Sequence, residues 1–193
     1  MFTAVVNLSN RHIHLTESDV ETLFGAGYKL TPKVELSQPG QFAAKECVTI
    51  TGPSGSIERV RVVGPTRAAT QCEILTGDTY KLGFNPDTVP VRLSGEITDS
   101  EAFTITSPTC SIKKSEGLII AKRHLHINPA LAVKYNVADK QTVTIRTTSK
   151  KGQTDFHDVF VRIQPDAALE CHIDLEEANA AGISNGYQAE VIV

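Results

Sequence analysis

One short pattern occurs twice in the chain, and this repeat constrains the fold more than any single segment does. Asn10-Arg11-His12-Ile13-His14-Leu15 and Lys122-Arg123-His124-Leu125-His126-Ile127 each read Arg-His-apolar-His-apolar. Each copy is followed by a capped helix, a Val-Thr-Ile strand (Val48-Thr49-Ile50; Val143-Thr144-Ile145), a turn and a second β-branched strand (Val60-Arg61-Val62; Val161-Arg162-Ile163). Past that strand each half places one further metal-capable residue, Glu73 in the first and His172 in the second. The period is too long for a solenoid unit, which runs to about 20 to 50 residues. The repeat therefore reads as an internal duplication giving two related domains, for which 193 residues suffice.

Strand signals dominate both halves. Ala4-Val5-Val6-Asn7-Leu8, Ile57-Glu58-Arg59-Val60-Arg61-Val62-Val63, Phe103-Thr104-Ile105, Val159-Phe160-Val161-Arg162-Ile163 and Glu190-Val191-Ile192 are short and β-branched. Polar clusters such as Gly52-Pro53-Ser54-Gly55 and Thr148-Ser149-Lys150-Lys151-Gly152 separate the strands. Many short strands with polar turns predict a barrel or sandwich. Three short helices are expected. One starts at Thr16, with Asp19 as capping partner, and ends at Gly25. A second has Asn128 as N-cap, Pro129 at its first position and an end near Asn136. The third spans Glu176 to Ala181 and stops at Gly182.

On a strand, residues two apart share a face, so His12 and His14 project together, as do His124 and His126, while Ile13 and Leu125 turn to the core. A lone His-x-His is weak evidence, because two partly buried, hydrogen-bonded histidines are the better account of any single copy. Two copies with the same flanking Arg, using four of only six histidines, point instead to metal ligation. The repeat then groups His12, His14 and Glu73 at one metal and His124, His126 and His172 at another. Three nitrogen or oxygen ligands with open positions are the pattern of a catalytic zinc. With an imidazole in place of the carboxylate, the second site is expected to be the more cationic. Cys72 and Cys171 each directly precede a proposed ligand and would face away from the metal. Cys47 and Cys110 read as buried small apolar residues, and His157, which has no repeat partner, as a surface histidine. Arg67, six residues before Glu73 in a Gly/Pro turn, is suited to forked phosphate recognition, with a plain surface arginine as the alternative. Gln38-Pro39-Gly40 lies in a long connection that reads as a lid or as an ordinary hairpin loop.

Several function classes are excluded or unsupported. The net charge of -3 and scattered Lys/Arg pairs give no basic field for nucleic acid. No apolar run approaches the ~20 residues of a membrane span, and the N-terminus lacks the pattern of a secretory signal. Four widely spaced cysteines without a Cys-x-x-Cys pair read as reduced thiols, which favours a cytoplasmic protein. Neither a phosphate-binding Gly-x-x-x-x-Gly-Lys-[Ser/Thr] loop, a dinucleotide fingerprint nor a Gly-x-Ser-x-Gly elbow is present.

The same residues resemble a known family. Ser9 to Leu15, Leu36-Ser37-Gln38-Pro39-Gly40-Gln41-Phe42-Ala43, Val60 to Arg67, Thr70-Gln71-Cys72-Glu73, Pro90-Val91-Arg92-Leu93-Ser94-Gly95, Ala121 to His126 and the stretch His172 to Ala180 are similar to the PduL-type phosphate acyltransferases, or phosphate propanoyltransferases. The resemblance covers nearly the whole chain. It departs at Cys171 (an expected Met), Leu175-Glu176 (Thr-Asp) and the turn Ser107-Pro108-Thr109-Cys110 (Gly-Pro-x-Gly), none of them a proposed ligand.

The resemblance implies a mainly β fold of two β-barrels capped by short α-helices, with the active site between them. One barrel would hold residues 1–10 with 119–193 and the other residues 11–118, including a lid segment around 25–45. It implies two zinc ions per chain, bound by His12, His14 and Glu73 and by His124, His126 and His172. Arg67 matches the family's phosphate-binding arginine, and Gln38, Pro39 and Gly40 its lid. The implied reaction is reversible transfer of a propanoyl or acetyl group between coenzyme A and inorganic phosphate, with acyl-CoA, CoA and acyl phosphate as partners. The ligand sets alone also permit a dinuclear zinc hydrolase of an ester, amide or phosphoester. The family includes microcompartment members, linked to propanediol degradation, that carry an N-terminal targeting extension. Strand pattern beginning almost at Phe2 favours the free cytoplasmic form over the microcompartment lumen. The resemblance leaves room for a homo-oligomer and for shell association.

Overall fold

The computed structural model describes all residues, Met1–Val193. In chain order the first half contains β1 (Phe2–Ser9), β2 (His12–His14), α1 (Glu17–Phe24), β3 (Pro32–Glu35), β4 (Phe42–Thr51), β5 (Ser56–Gly64) and β6 (Gln71–Ile74). There follow α2 (Thr76–Leu82), β7 (Val91–Arg92), β8 (Glu101–Thr106) and β9 (Ser111–Ala121). The second half contains β10 (His124–Ile127), α3 (Pro129–Tyr135), β11 (Thr142–Ser149), β12 (Gly152–Ile163), β13 (Glu170–Asp174), α4 (Leu175–Ala181) and β14 (Tyr187–Ile192).

The protein is mainly β, with two closed six-stranded barrels. One runs β1-β13-β10-β12-β11-β14 and back to β1. The other runs β4-β5-β2-β6-β9-β8 and closes from β8 onto β4. β3 hangs from the edge of β4 and β7 from β9. The chain divides into two compact units, Met1–Asn10 with Lys122–Val193, and Arg11–Ala121.

The repeat is visible strand by strand, and β1 crosses to the other half. β1, just before the first His-x-His, pairs in parallel with β13 and antiparallel with β14, both strands of the second half. β9, just before the second His-x-His, pairs in parallel with β6 and antiparallel with β8, both strands of the first half. The strand before each His-x-His thus closes a barrel: β1, from the start of the chain, closes the second, and β9 closes the first within Arg11–Ala121. Each barrel has its own core: Ile13, Ile50, Val60, Val62, Cys72 and Leu118 in one, Val6, Leu125, Ile145, Val161, Cys171 and Val191 in the other. Cys47 and Cys110, expected to be buried, are half-exposed instead. Cys47 falls at an outward position of β4, between buried Glu46 and Val48, and Cys110 sits in the turn before β9.

The three expected helices form with their caps. Thr16 Oγ1 accepts from the Asp19 N–H (3.0 Å), and Asn128 Oδ1 from the Leu131 N–H (3.0 Å). α4 starts one residue before the expected Glu176, on an Asp174–Glu177 capping box. α2 was not expected. Its apolar pattern is thin, with Gly77 in its first turn, Tyr80 exposed and only Leu82 as a buried aliphatic. It is held instead by Asp78, which accepts from the Leu75 N–H (3.0 Å) and from Arg11 Nε (2.7 Å). The repeat supplies the same brace in the other half, where Arg123 Nε meets the Glu177 carboxylate at 3.1 Å. The arginine before each His-x-His therefore ties that strand to the helix following the third-ligand strand.

This brace can be tested. Arg11→Met leaves the Asp78 carboxylate, only 7% exposed, without its cation, and should lower the unfolding free energy by about 1–3 kcal/mol. Lys29→Met breaks a solvent-exposed pair with Glu17 and should change stability far less, because water already screens that pair. Urea unfolding of both variants checks the contrast, and equal losses would contradict it.

Candidate metal centres

The antiparallel ladder between β2 and β6 sets His12 opposite Glu73, Ile13 opposite Cys72 and His14 opposite Gln71. The ladder between β10 and β13 repeats this register, with His124 opposite His172, Leu125 opposite Cys171 and His126 opposite Glu170. Ile13 and Cys72, and likewise Leu125 and Cys171, are fully buried in the cores. Strand alternation therefore turns the four flanking side chains of each ladder to its other face. The structure brings together the expected sets. The ligand atoms of His12, His14 and Glu73 lie within 4.8 Å of one another, as do those of His124, His126 and His172. The thiols of Cys72 and Cys171 are pushed up by burial and point into the cores.

The hydrogen-bond chemistry of these imidazoles favours a cation. His14 Nδ1 lies 3.0 Å from the Val63 carbonyl, His124 Nδ1 2.9 Å from the Lys122 carbonyl, and His126 Nδ1 2.9 Å from Gln164 Oε1. Each of these oxygens can only accept, so each Nδ1 must carry the proton and each Nε2 a lone pair. Yet His124 Nε2 and His126 Nε2 face each other at 3.0 Å, and His12 Nε2 and His14 Nε2 at 3.2 Å. The lone pairs on His124 Nε2 and His126 Nε2 cannot hydrogen-bond to each other. Adding protons is opposed by the surroundings. Burial above all, then His12 and Arg67, pushes the His14 pKa down to about 2. Burial, then His172 and His126, takes His124 to about 3, and burial, then His172 and Arg162, takes His126 to about 4. Neutral, buried, Nδ1-anchored histidines converging through Nε2 are what a zinc ion needs, including the outer hydrogen bonds that orient its ligands.

Arg67 is anchored twice. Its backbone N–H donates to the Leu15 carbonyl (2.9 Å), directly after the His-x-His strand, and its Nη1 donates to Ser94 Oγ (2.7 Å). Ser94 Oγ also accepts from Gln71 Nε2 (2.9 Å), which donates in turn to Glu73 Oε1 (2.6 Å). A continuous chain thus links the guanidinium to the carboxylate of the first cluster. Gln38, Pro39 and Gly40 lie in the hairpin loop between β3 and β4, closed by the Leu36 N–H on the Gln41 carbonyl (2.9 Å). Gln38 is buried, whereas Pro39 and Gly40 are exposed. His157 is exposed and meets Thr144 Oγ1 at 3.1 Å, away from both clusters.

Sequence reading missed Gln71, Ser94, Gln164 and Glu170. Gln71 and Glu170 each stand two residues before a third ligand on a strand, so the alternation that placed the histidines could have found them. Glu170, opposite His126, places a buried carboxylate 3.5 Å from His172 Nε2, beside the three histidines of the second cluster.

Twin barrels, each with a buried triad of ligand-type side chains on one strand ladder, define a protein with two candidate metal centres. The family model for phosphate propanoyltransferase matches residues 5–184. The chain is 50% identical over 182 residues to a phosphate propanoyltransferase of Thermotoga maritima, covering 94% of this chain and 85% of that one. It is 52% identical over 184 residues to one of Priestia megaterium (95% and 83%), and 40% over 190 residues to one of Enterococcus faecalis (98% and 88%). The chain belongs to the phosphate propanoyltransferase family and is an acyltransferase. No helix is long and apolar enough to cross a membrane.

The depressed histidines set an acid limit on stability. Unfolded, these imidazoles titrate near 6.5; folded, they stay neutral down to between about 2 and 4. Between those limits the unfolded chain binds more protons, so their contribution is intact above pH 6.5 and is lost as pH falls below it. Metal-free protein should lose about 1.4 kcal/mol per histidine for each pH unit below 6.5. Urea unfolding from pH 7.5 to 5 checks this, and a flat profile would contradict it.

Proposed function

We propose that the protein moves a short acyl group, propanoyl or acetyl, reversibly between coenzyme A and inorganic phosphate, using two zinc ions per chain. The observation that carries the reading is the duplicated triad, with Nδ1 anchored on His14, His124 and His126 and Nε2 lone pairs facing each other on His124 and His126. It is supported by membership of a family whose named relatives are phosphate propanoyltransferases. His12, His14 and Glu73 would hold one ion, and His124, His126 and His172 the other. Bound zinc would supply Lewis acidity for a thiolate and for phosphate oxygens.

The chain's own groups then have distinct tasks. The anchors on Nδ1 fix the rings of His14, His124 and His126, and Gln71 holds the Glu73 carboxylate. The Arg67 guanidinium, steadied by Ser94, offers N–H donors to a phosphate and stabilises the charge that grows on the carbonyl oxygen during attack. A phosphate oxygen bonds to the acyl carbon, the C–S bond breaks, and sulfur leaves as the CoA thiolate. The chain supplies no acyl carrier in the triads. Cys72 and Cys171 are sealed in the cores with their thiols held protonated, so transfer is direct. The β3–β4 loop bearing Gln38, Pro39 and Gly40 serves as a lid over bound substrate.

Incubation with propanoyl-CoA or acetyl-CoA tests the reading. CoA release should require inorganic phosphate and yield acyl phosphate; release without phosphate would mean a zinc hydrolase instead. Arg67→Ala should keep its metal yet lose about 2–4 kcal/mol of transition-state stabilisation, roughly 30- to 1000-fold in rate at limiting phosphate. Normal turnover in that variant would remove Arg67 from the site.

A further inference from the structure

A serine hydroxyl held inside a fold commonly accepts one hydrogen bond and donates another. Ser100 Oγ accepts from the Gly117 N–H (2.8 Å) and donates to the Ile97 carbonyl (2.5 Å). Ser149 Oγ accepts from the Lys151 N–H (3.0 Å) and donates to the Ala181 carbonyl (2.6 Å). Ser94 breaks this pattern. Its half-buried hydroxyl meets two nitrogens, Arg67 Nη1 at 2.7 Å and Gln71 Nε2 at 2.9 Å.

Both contacts must arrive as N–H donors. A guanidinium has no acceptor atom. The Gln71 amide is fixed by its other partners. The Gly95 backbone N–H can only donate, so the atom 2.6 Å from it is Oε1, which leaves Nε2 to face the Glu73 carboxylate (2.6 Å) and Ser94. A hydroxyl has two lone pairs and one proton. With both lone pairs taken, the Ser94 proton is turned away from Arg67 and Gln71, and the hydroxyl makes no third hydrogen bond within the chain. A hydrogen bond received from a charged guanidinium also polarises the O–H and makes it a better donor.

We infer that Ser94 is a second phosphate-binding residue, whose O–H donates to an oxygen of the same phosphate group that Arg67 recognises. This rests on the acyl transfer proposed above. Ser94 Oγ and Arg67 Nη1 are 2.7 Å apart, close enough for neighbouring oxygens of one phosphate to take a hydrogen bond from each residue. The pair presents donors only, which suits the anionic oxygens of inorganic phosphate and of an acyl phosphate.

Ser94 also steadies Arg67, so a double-mutant cycle is needed to separate contact from positioning. The KM for inorganic phosphate is measured with excess propanoyl-CoA in the unsubstituted protein, Ser94→Ala, Arg67→Ala and the double variant, with metal content checked in each. Ser94→Ala should raise that KM about 10-fold or more while changing the KM for propanoyl-CoA little. In the Arg67→Ala background no guanidinium remains to be positioned, yet Ser94→Ala should raise the KM several-fold again. Calorimetric titration with inorganic phosphate should show the same cycle in binding. Ser94→Cys, which fills the same space with a weak S–H donor, should give the same loss and serves if the alanine variant does not fold. No further loss in the Arg67→Ala background would overturn the inference, making Ser94 a positioning residue and leaving acyl transfer intact. If the unsubstituted protein releases CoA without phosphate, the acyl-transfer reading itself fails, and the role of Ser94 with it.

Discussion

Everything chemical in this molecule depends on the register of two short strand pairs. β2 against β6 and β10 against β13 each lock a central apolar pair, Ile13 with Cys72 and Leu125 with Cys171, into a barrel core. A one-residue slip would send the imidazoles into the core and the apolar residues out, at the cost of burying polar rings and exposing apolar side chains. The cores thus hold the histidines where their Nε2 atoms meet at 3.0 to 3.2 Å. The price of that packing is a pair of lone pairs facing each other, which a bound cation relieves.

The duplication explains how so small a chain builds this twice. Each half carries a His-x-His strand, a brace and a triad, and each barrel is closed by a strand that precedes a His-x-His, β9 in the first barrel and β1 in the second. The first barrel is complete within Arg11–Ala121, whereas the second needs the strand from the start of the chain. The paired braces, Arg11 on Asp78 and Arg123 on Glu177, show why the arginine accompanies His-x-His in both copies. It holds the start of the neighbouring helix, while Arg67 is steadied by Ser94, which Gln71 links to the first triad.

Much of this was legible in the sequence. Period-two alternation around His-x-His gives the strand face directly, and the repeat locates Glu73 and His172 although they lie far along the chain. The caps at Thr16, Asn128 and Asp174 mark three helices through side-chain chemistry that is local in sequence. What escaped depends on contacts that no local pattern records. α2 lacks an apolar face and owes its first turn to Asp78 and a distant Arg11. Glu170 and Gln71 stand two residues before His172 and Glu73, where strand alternation puts them on the ligand-bearing face, but neither residue type marks a site by itself. Ser94 becomes meaningful only once folding places it between Arg67 and Gln71.

The account makes the two triads equal partners in metal binding, each closed within its own barrel and each dependent on its own His-x-His. Elemental analysis of protein purified without added metal is the most direct test. The account predicts close to two zinc equivalents per chain, falling to one in His14→Ala and to one in His126→Ala. One equivalent or none in the unsubstituted protein would contradict it.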